Sequence, residues 1–370
     1  LDLQWCPVGD DQMRQLGVLK KLRVLSVGWT EVTDDGLRHL GQLDSLRALH
    51  IADNRVTDAG IRRLYPLQQL ENLTIASSVG KGFRPGHSLV TREGLEELKR
   101  AIPTLEVYGL PRHDDLSDLR ERIRRIRDGE TDELVISDPE VFHLEEIEGL
   151  RTLKRLDLSD TCTDDESLRH LANLKSLEQL DLSTTWITDA GLAHLSGLTN
   201  LRTINLGNTR VSDAGLVHLQ GLTRLRHLDL SNTPVSGTGF QNLASWSALE
   251  HLNLDRQSGS TRWPGRIDQS GITDAGLRVI SRLPNLRVLE ISDFSDAGSL
   301  LTDAGFTHLR DAQALESLDL YGVGITDAGL AHLSGLTKLK YLSLAETQTT
   351  DHGLQHIRNL SSLERIHLNE

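Results

Sequence analysis

The stretch 180–201, LDLSTTWITDAGLAHLSGLTNL, is written again and again along the chain, and that recurrence limits the possible folds more than anything else. Leu180 and Leu182 alternate with polar neighbours, the period of a short strand with one apolar face. Thr185 and Ile187 follow. Thr188-Asp189 reads as a helix N-cap whose acid is favoured by the helix dipole. Leu192, Leu195 and Leu198, three apart, then fall on one helical face. The next copy opens at Leu201, a period of roughly 24 residues. One such unit cannot bury its own apolar side. Stacked units cover one another, so the core lengthens with the chain.

That escape matters because 370 residues exceed what one ordinary globular core supports. Aromatics make up only 4% of the chain, as expected when leucine rungs replace a mixed core. The net charge of −13 argues against general nucleic-acid binding and permits a basic or mixed-charge partner. Cys6 and Cys162 lie far apart, with no disulfide framework. This usage suits a reducing compartment, and a cytoplasmic location is expected. No apolar run reaches the roughly 20 residues that span a bilayer, so no membrane partner is expected. The chain opens inside a strand pattern without Met and ends without a polar cap, which suggests a fragment.

Three segments follow in order. Residues 1–112 form a first repeat block, with a clean copy at Leu25, Val27, Thr30, Val32, Thr33-Asp34, Gly36-Leu37 and Leu40. An insert near 79–88 interrupts it. Residues 113–133 break the period: over 114–128, Leu116, Leu119, Ile123 and Ile126 mark an amphipathic helix with five arginines on its other faces. This helix either bridges two arrays or caps a seam in one continuous array. Strand signals close by on both sides favour the seam. Residues 134–370 form a second block, with Leu156, Leu180, Ile204, Leu228 and Leu252 evenly spaced and inserts near 255–271 and 293–300.

The pattern LxxLxLxxTx[IV]TDxGLxxLxxLxx resembles the leucine-rich repeat superfamily, of the ribonuclease-inhibitor-like kind. Its Ile187-Thr188-Asp189, Ile325-Thr326-Asp327 and Val56-Thr57-Asp58 turns look most like the cysteine-containing subtype found beside F-boxes and its bacterial relatives. That subtype often has Cys where this chain has Thr30, Thr161, Thr185, Thr209, Thr233 and Thr347; Cys6 alone keeps that column. The resemblance implies a curved α/β solenoid, parallel strands on the concave face and helices on the convex one. About fifteen strands would give an arc of roughly 70 Å. It further implies a recognition surface for other proteins; F-box relatives hold substrates for ubiquitination. The stretch after Leu110-Pro111 is too short and too basic to be an F-box.

Between the paired leucines of each strand runs the column Asp157, Asp181, Asn205, Asp229, Asn253, Glu290, Asp319. This acidic stripe is either a solvated face that keeps the array soluble or an electrostatic dock for a basic segment. His227 and His251, on neighbouring strands beside Asp229, give a weak metal signal. A second column (His39, His170, His194, His218, His308, His332, His356) repeats too regularly to be catalytic. It is expected to hydrogen-bond the neighbouring repeat and make stability pH-sensitive. The inserts leave just after strands, so they project from one rim, where insertions often bind. They carry Phe83 and Arg84, then Arg262, Trp263 and Arg266, then Phe294, and Trp5 and Trp29 lie near the same rim. These are hot-spot residue types, or else aromatics that pack their own loops. No phosphate loop, nucleophile elbow or cysteine-rich metal signature is present, so no catalytic residue and no cofactor is expected. The sequence therefore reads as a non-catalytic protein- or peptide-recognition module. Its expected contacts are Trp29, Phe83, Arg84, Asp157, Asp181, Asp229, Arg262, Trp263, Arg266, Glu290, Phe294 and Asp319. The alternatives are the sensor or substrate-docking part of a larger enzyme assembly (ligase, protease or kinase) and a purely structural array.

Overall fold

The computed structural model describes residues 1–4, 6–52, 54, 56–75, 90–108, 117–136, 144–161, 163–242, 246–256, 271–293 and 299–368. Its strands form two parallel sheets. The first has four: β1 (Val24–Ser26), β2 (Ala48–His50), β3 (Asn72–Thr74) and β4 (Glu106–Tyr108). The second has ten: β5 (Glu133–Val135), β6 (Arg155–Asp157), β7 (Gln179–Asp181), β8 (Thr203–Asn205), β9 (His227–Asp229), β10 (His251–Asn253), β11 (Val288–Glu290), β12 (Ser317–Asp319), β13 (Tyr341–Ser343) and β14 (Arg365–His367). In both, sequence neighbours are sheet neighbours and equivalent residues pair, Leu180 with Leu156 and with Ile204. The chain belongs to the α/β class and folds as a leucine-rich repeat solenoid.

Each strand is three residues long, and in all but β4 and β14 its middle residue, mostly leucine, is buried, with the two flanking side chains on the open face of the sheet. Leu156, Leu180, Ile204, Leu228 and Leu252 are at most 2% exposed, so the periodic leucines are the core. A second buried row (Leu171, Leu195, Leu219, Leu333) comes from the helical side of each repeat. That side differs from the expected run of α-helices. In the regular repeats it is mostly one 3₁₀ turn, such as Gly191–Leu195, with Leu198 beyond its end. The leucines recur every third residue, which matches three residues per turn rather than 3.6. Longer α-helices occur where the repeat is irregular: Arg92–Ala101 and Asp274–Ile280 follow inserts, and Ser117–Arg127 precedes the second sheet.

Two polar ladders run through most of the repeats, one within each repeat and one joining it to the next. In the threonine column the side-chain hydroxyl donates to the carbonyl three residues earlier, Thr185 to Leu182 and Thr209 to Leu206, at 2.5–2.6 Å. This closes a turn whose preceding residue is left-handed, as at Trp29, Asp160, Thr184, Asn208 and Asn232. The column thus satisfies a buried acceptor, which a thiol would do only weakly.

The Thr-Asp turn holds the second ladder. Thr57 and Thr326 cap their short helices as expected, each accepting from an amide two residues on; Thr188 accepts in the same way from Ala190, but the 3₁₀ turn that follows has Ala190, not Thr188, at its cap position. The aspartate, however, does more than meet the dipole. Its carboxylate reaches the following repeat and accepts from both the backbone N–H and the hydroxyl of that repeat's capping Thr or Ser. Asp34 does this to Thr57 at 2.7 and 2.6 Å, Asp165 to Thr188 at 2.8 and 2.6 Å, and Asp189 to Ser212 at 2.7 and 2.6 Å. The glycine two residues after the aspartate follows from this. A Cβ on Gly60 would lie 2.2 Å from Asp34 Oδ1, and one on Gly94 would lie 2.1 Å from Asp58 Oδ1. The carboxylate occupies the space that any larger side chain would need.

The helix Ser117–Arg127 buries Ile123 and Ile126, matching the expected amphipathic face. Four of its five arginines are engaged locally. Arg120 pairs with Glu146, Arg122 donates to the Val135 carbonyl, Arg124 bridges Glu121 and Asp128, and Arg125 meets Glu130.

Candidate functional site

The open face of the ten-stranded sheet carries the acidic column, and its geometry follows from strand pairing. Register sets Asp157 beside Asp181, Asp181 beside Asn205, Asn205 beside Asp229, Asp229 beside Asn253, Asn253 beside Glu290, and Glu290 beside Asp319. All of them are half-buried. The four-stranded sheet has Ser26, His50, Thr74 and Tyr108 in the same column, with no carboxylate there.

Each Asp or Asn of the column uses one oxygen for its own turn. Oδ1 accepts from the backbone N–H two residues on: Asp157 from Ser159, Asp181 from Ser183, Asp229 from Ser231, Asp319 from Tyr321, and likewise Asn205 from Gly207 and Asn253 from Asp255. The two asparagines also donate to a neighbour. Asn205 Nδ2 lies 3.0 Å from Asp181 Oδ2, and Asn253 Nδ2 lies 3.2 Å from Asp229 Oδ2. The stripe is therefore neither a row of identical free charges nor only a solvated surface.

His227 and His251 stand side by side on β9 and β10, with ring centroids 5.8 Å apart at 67°. His251 Nε2 lies 3.3 Å from Glu290 Oε2. The hydrogen bond and charge of Glu290 hold the His251 pKa above the usual imidazole value. Burial, with the charge of His251 beside it, lowers that of His227. Among the described residues, no group of three or more His, Cys, Asp or Glu is placed to hold a metal ion.

Beyond β10 and β11 the chain continues into two insert roots. Arg256 pairs with Asp293 in an isolated parallel bridge, and their side chains meet at 3.5 Å while only 14% and 7% exposed. Asp255 accepts from the Ser292 N–H at 2.7 Å. Burial, reinforced by Glu290 and Asp319, pushes the Asp255 carboxyl up to about 6. Asp293 in turn leans on the next repeat. Its N–H donates to the Tyr321 carbonyl, and its own carbonyl lies 2.2 Å from where a Cβ on Gly322 would sit. Gly322 also has φ +68°, so glycine is required there twice over.

Of the other expected contacts, Trp29 is half-buried in a left-handed turn with its ring 5.6 Å from His50. Phe83, Arg84, Arg262, Trp263, Arg266 and Phe294 lie outside the described residues, as do Trp5, Cys162 and the whole insert 79–88. Two of the seven column histidines make the expected neighbour contact: His170 meets Glu148 of the preceding repeat, and His332 receives a hydrogen bond from Arg310 at 2.6 Å. Burial and Arg310 lower the pKa of His332. The asparagine clamps and the Arg256–Asp293 root escaped sequence reasoning. For the clamps a signal was present, the Asp/Asn alternation at 181, 205, 229 and 253.

Family models recognise the repeat in parts of both sheets. A model of paired leucine-rich repeats matches residues 199–245, and a single-repeat model matches 18–41, 43–64 and 173–196. No curated protein matches the chain in sequence. Among solved structures, it is similar to an internalin (inlF) from Listeria monocytogenes strain 4b F2365, at 19% identity and TM-score 0.47, covering 96% of this chain and 83% of that one. It is also similar to the plant peptide hormone receptor RGFR1, solved in complex with RGF2, at 13% identity and TM-score 0.42. There the match covers 96% of this chain and 64% of that one. The paired strand columns, the buried leucine rows and the family matches make the repeating unit of both sheets a leucine-rich repeat.

Proposed function

We propose that this chain is a non-catalytic recognition module that takes a protein or peptide partner with a basic segment on the open, concave face of the ten-stranded sheet. The observation that carries this reading is the half-buried column from Asp157 to Asp319, which presents carboxylates and amides on seven successive strands. Charge set on a partly desolvated sheet acts more strongly than on a convex surface and favours partners of opposite sign. The inserts near 79–88, 255–271 and 293–300 carry the remaining expected contacts in sequence, and Trp29 lies just after β1 of the first sheet. The Ile-Thr-Asp turns support placing these repeats in the cysteine-containing subtype. Cys6, a free half-buried thiol, supports a cytoplasmic location.

The test is selection of random displayed peptides on the intact chain, followed by photo-cross-linking of the winners. Enriched peptides should carry net positive charge, lose affinity as salt rises, and cross-link to β6 through β12. Neutral or acidic winners, or cross-links confined to the helical side, would overturn the reading.

A further inference from the structure

The carboxylates of the column differ in what they have left to offer. Asp181 and Asp229 have both oxygens occupied, one by a turn amide and one by an asparagine. Glu290 faces His251. Asp157 and Asp319 each give one oxygen to a turn, and no donor among the described residues reaches the other.

The surroundings of these two positions also differ from the middle of the face. Asp157 lines a shallow recess of about 210 Å³ together with Glu133, Arg155, Gln179, Asp181 and Thr203. The one cation in it, Arg155, is turned toward Asp132 and Glu133. At the other end Asp319 sits beside Glu290, with the half-buried Tyr341 on the next strand of the same face. Between them Thr203, Asn205, His227 and Asn253 offer hydrogen bonds, while the carboxylates of Asp181, Asp229 and Glu290 are already engaged by Asn205, Asn253 and His251.

We propose that this sheet face docks an extended segment that crosses the strands and carries two basic side chains, one for Asp157 and one for Asp319, with a polar, uncharged stretch between them. This rests on the recognition reading above and adds a spacing to it. From β6 to β12 there are six strand steps at about 4.8 Å, hence at most roughly 29 Å along the sheet. An extended peptide rises about 3.3 Å per residue, so the two basic residues stand about eight to nine positions apart.

The probes are synthetic peptides with two arginines separated by about 3, 6, 9 or 12 positions of Ser, Thr and Gly, titrated against the intact chain at low salt. The expected result is tightest binding near the nine-position spacing, about fivefold better than at either extreme, the scale of one partly exposed ion pair. Asp157→Asn and Asp319→Asn should each abolish the optimum. Asp181→Asn and Asp229→Asn should leave the optimum in place. All four variants keep the turn bond, because Asn205 and Asn253 already accept the same N–H in this chain. Thermal melts confirm that the fold is kept. Binding that ignores spacing, or four variants with equal effects, would overturn the two-point proposal while leaving basic-partner recognition standing. No binding by any arginine peptide would overturn both.

Discussion

The glycine after each Thr-Asp turn can be made to report the inter-repeat clamp directly. Asp58 gives Oδ1 to the Thr91 N–H at 2.8 Å and Oδ2 to the Thr91 hydroxyl at 2.7 Å. A Cβ on Gly94 would lie 2.1, 2.4 and 2.9 Å from Asp58 Oδ1, Cγ and Oδ2, all atoms of that one side chain. Gly94→Ala must therefore displace the carboxylate and forfeit both bonds. Two bonds to a charged acceptor in this half-buried setting are worth about 3 kcal/mol together. Alanine in a helix gains about 0.5–1 kcal/mol over glycine, so the net cost is about 2 kcal/mol. Asp58→Ala alone costs about 3 kcal/mol. With Asp58 already removed, the clash is gone and only the helix gain remains, so Gly94→Ala should then stabilise by about 0.5–1 kcal/mol. The measurement is urea denaturation of the four-member mutant cycle by circular dichroism, with exchange of the Thr91 amide as a local probe. The decisive quantity is the sign of the Gly94→Ala effect. If it destabilises equally in both backgrounds, the carboxylate is not what demands glycine.

Two further substitutions test the acidic column and the insert root. Asn205→Asp removes a donor from Asp181 and sets a third carboxylate between Asp181 and Asp229. Urea melts should show a loss of about 1–2 kcal/mol at low ionic strength, much of it recovered at high salt. Asp255 has a folded-state pKa raised from 3.8 to about 6, so its contribution to stability is fully present below about pH 4 and is lost as pH rises through about 6. Asp255→Asn retains an acceptor for the Ser292 N–H without the charge. It should raise the urea midpoint near pH 7.5, leave it unchanged near pH 4, and flatten the profile between.

How far the sequence reached depends on the range of each interaction. Leu156, Leu180 and Ile204 were legible because strand period and burial are local properties, and the structure buries all three. The 3₁₀ turns were legible in part: a three-residue leucine spacing fits them better than α-helix, but an N-cap signal precedes both. The aspartate's role was hidden because its partner Thr lies 23 residues away, in another repeat. The nearby glycine was the available sign, since a glycine at a fixed offset inside a helix asks for a steric reason. The Asp255–Ser292 contact was harder still. It joins residues 37 apart across an insert, and no period marks it.

The same physics separates charge from recognition on this chain. A formal charge of −13 invites the view that any basic partner will do. Yet the turn aspartates are spent on clamping repeats together, each holding two donors of its neighbour. Those of the open face spend half their acceptor capacity on their own turns, and asparagine takes the rest at Asp181 and Asp229. A carboxylate with both oxygens hydrogen-bonded still contributes to the long-range field, which draws in a cation and is screened by salt. A free oxygen adds a directed, charge-assisted bond at a fixed place. Long-range attraction on this sheet is therefore spread over the five carboxylate-bearing strands of the column, while close-range selectivity is concentrated at its two ends, at β6 and β12. A partner matched only in net charge would bind weakly and in many registers. One matched in the spacing of its basic residues would settle in one.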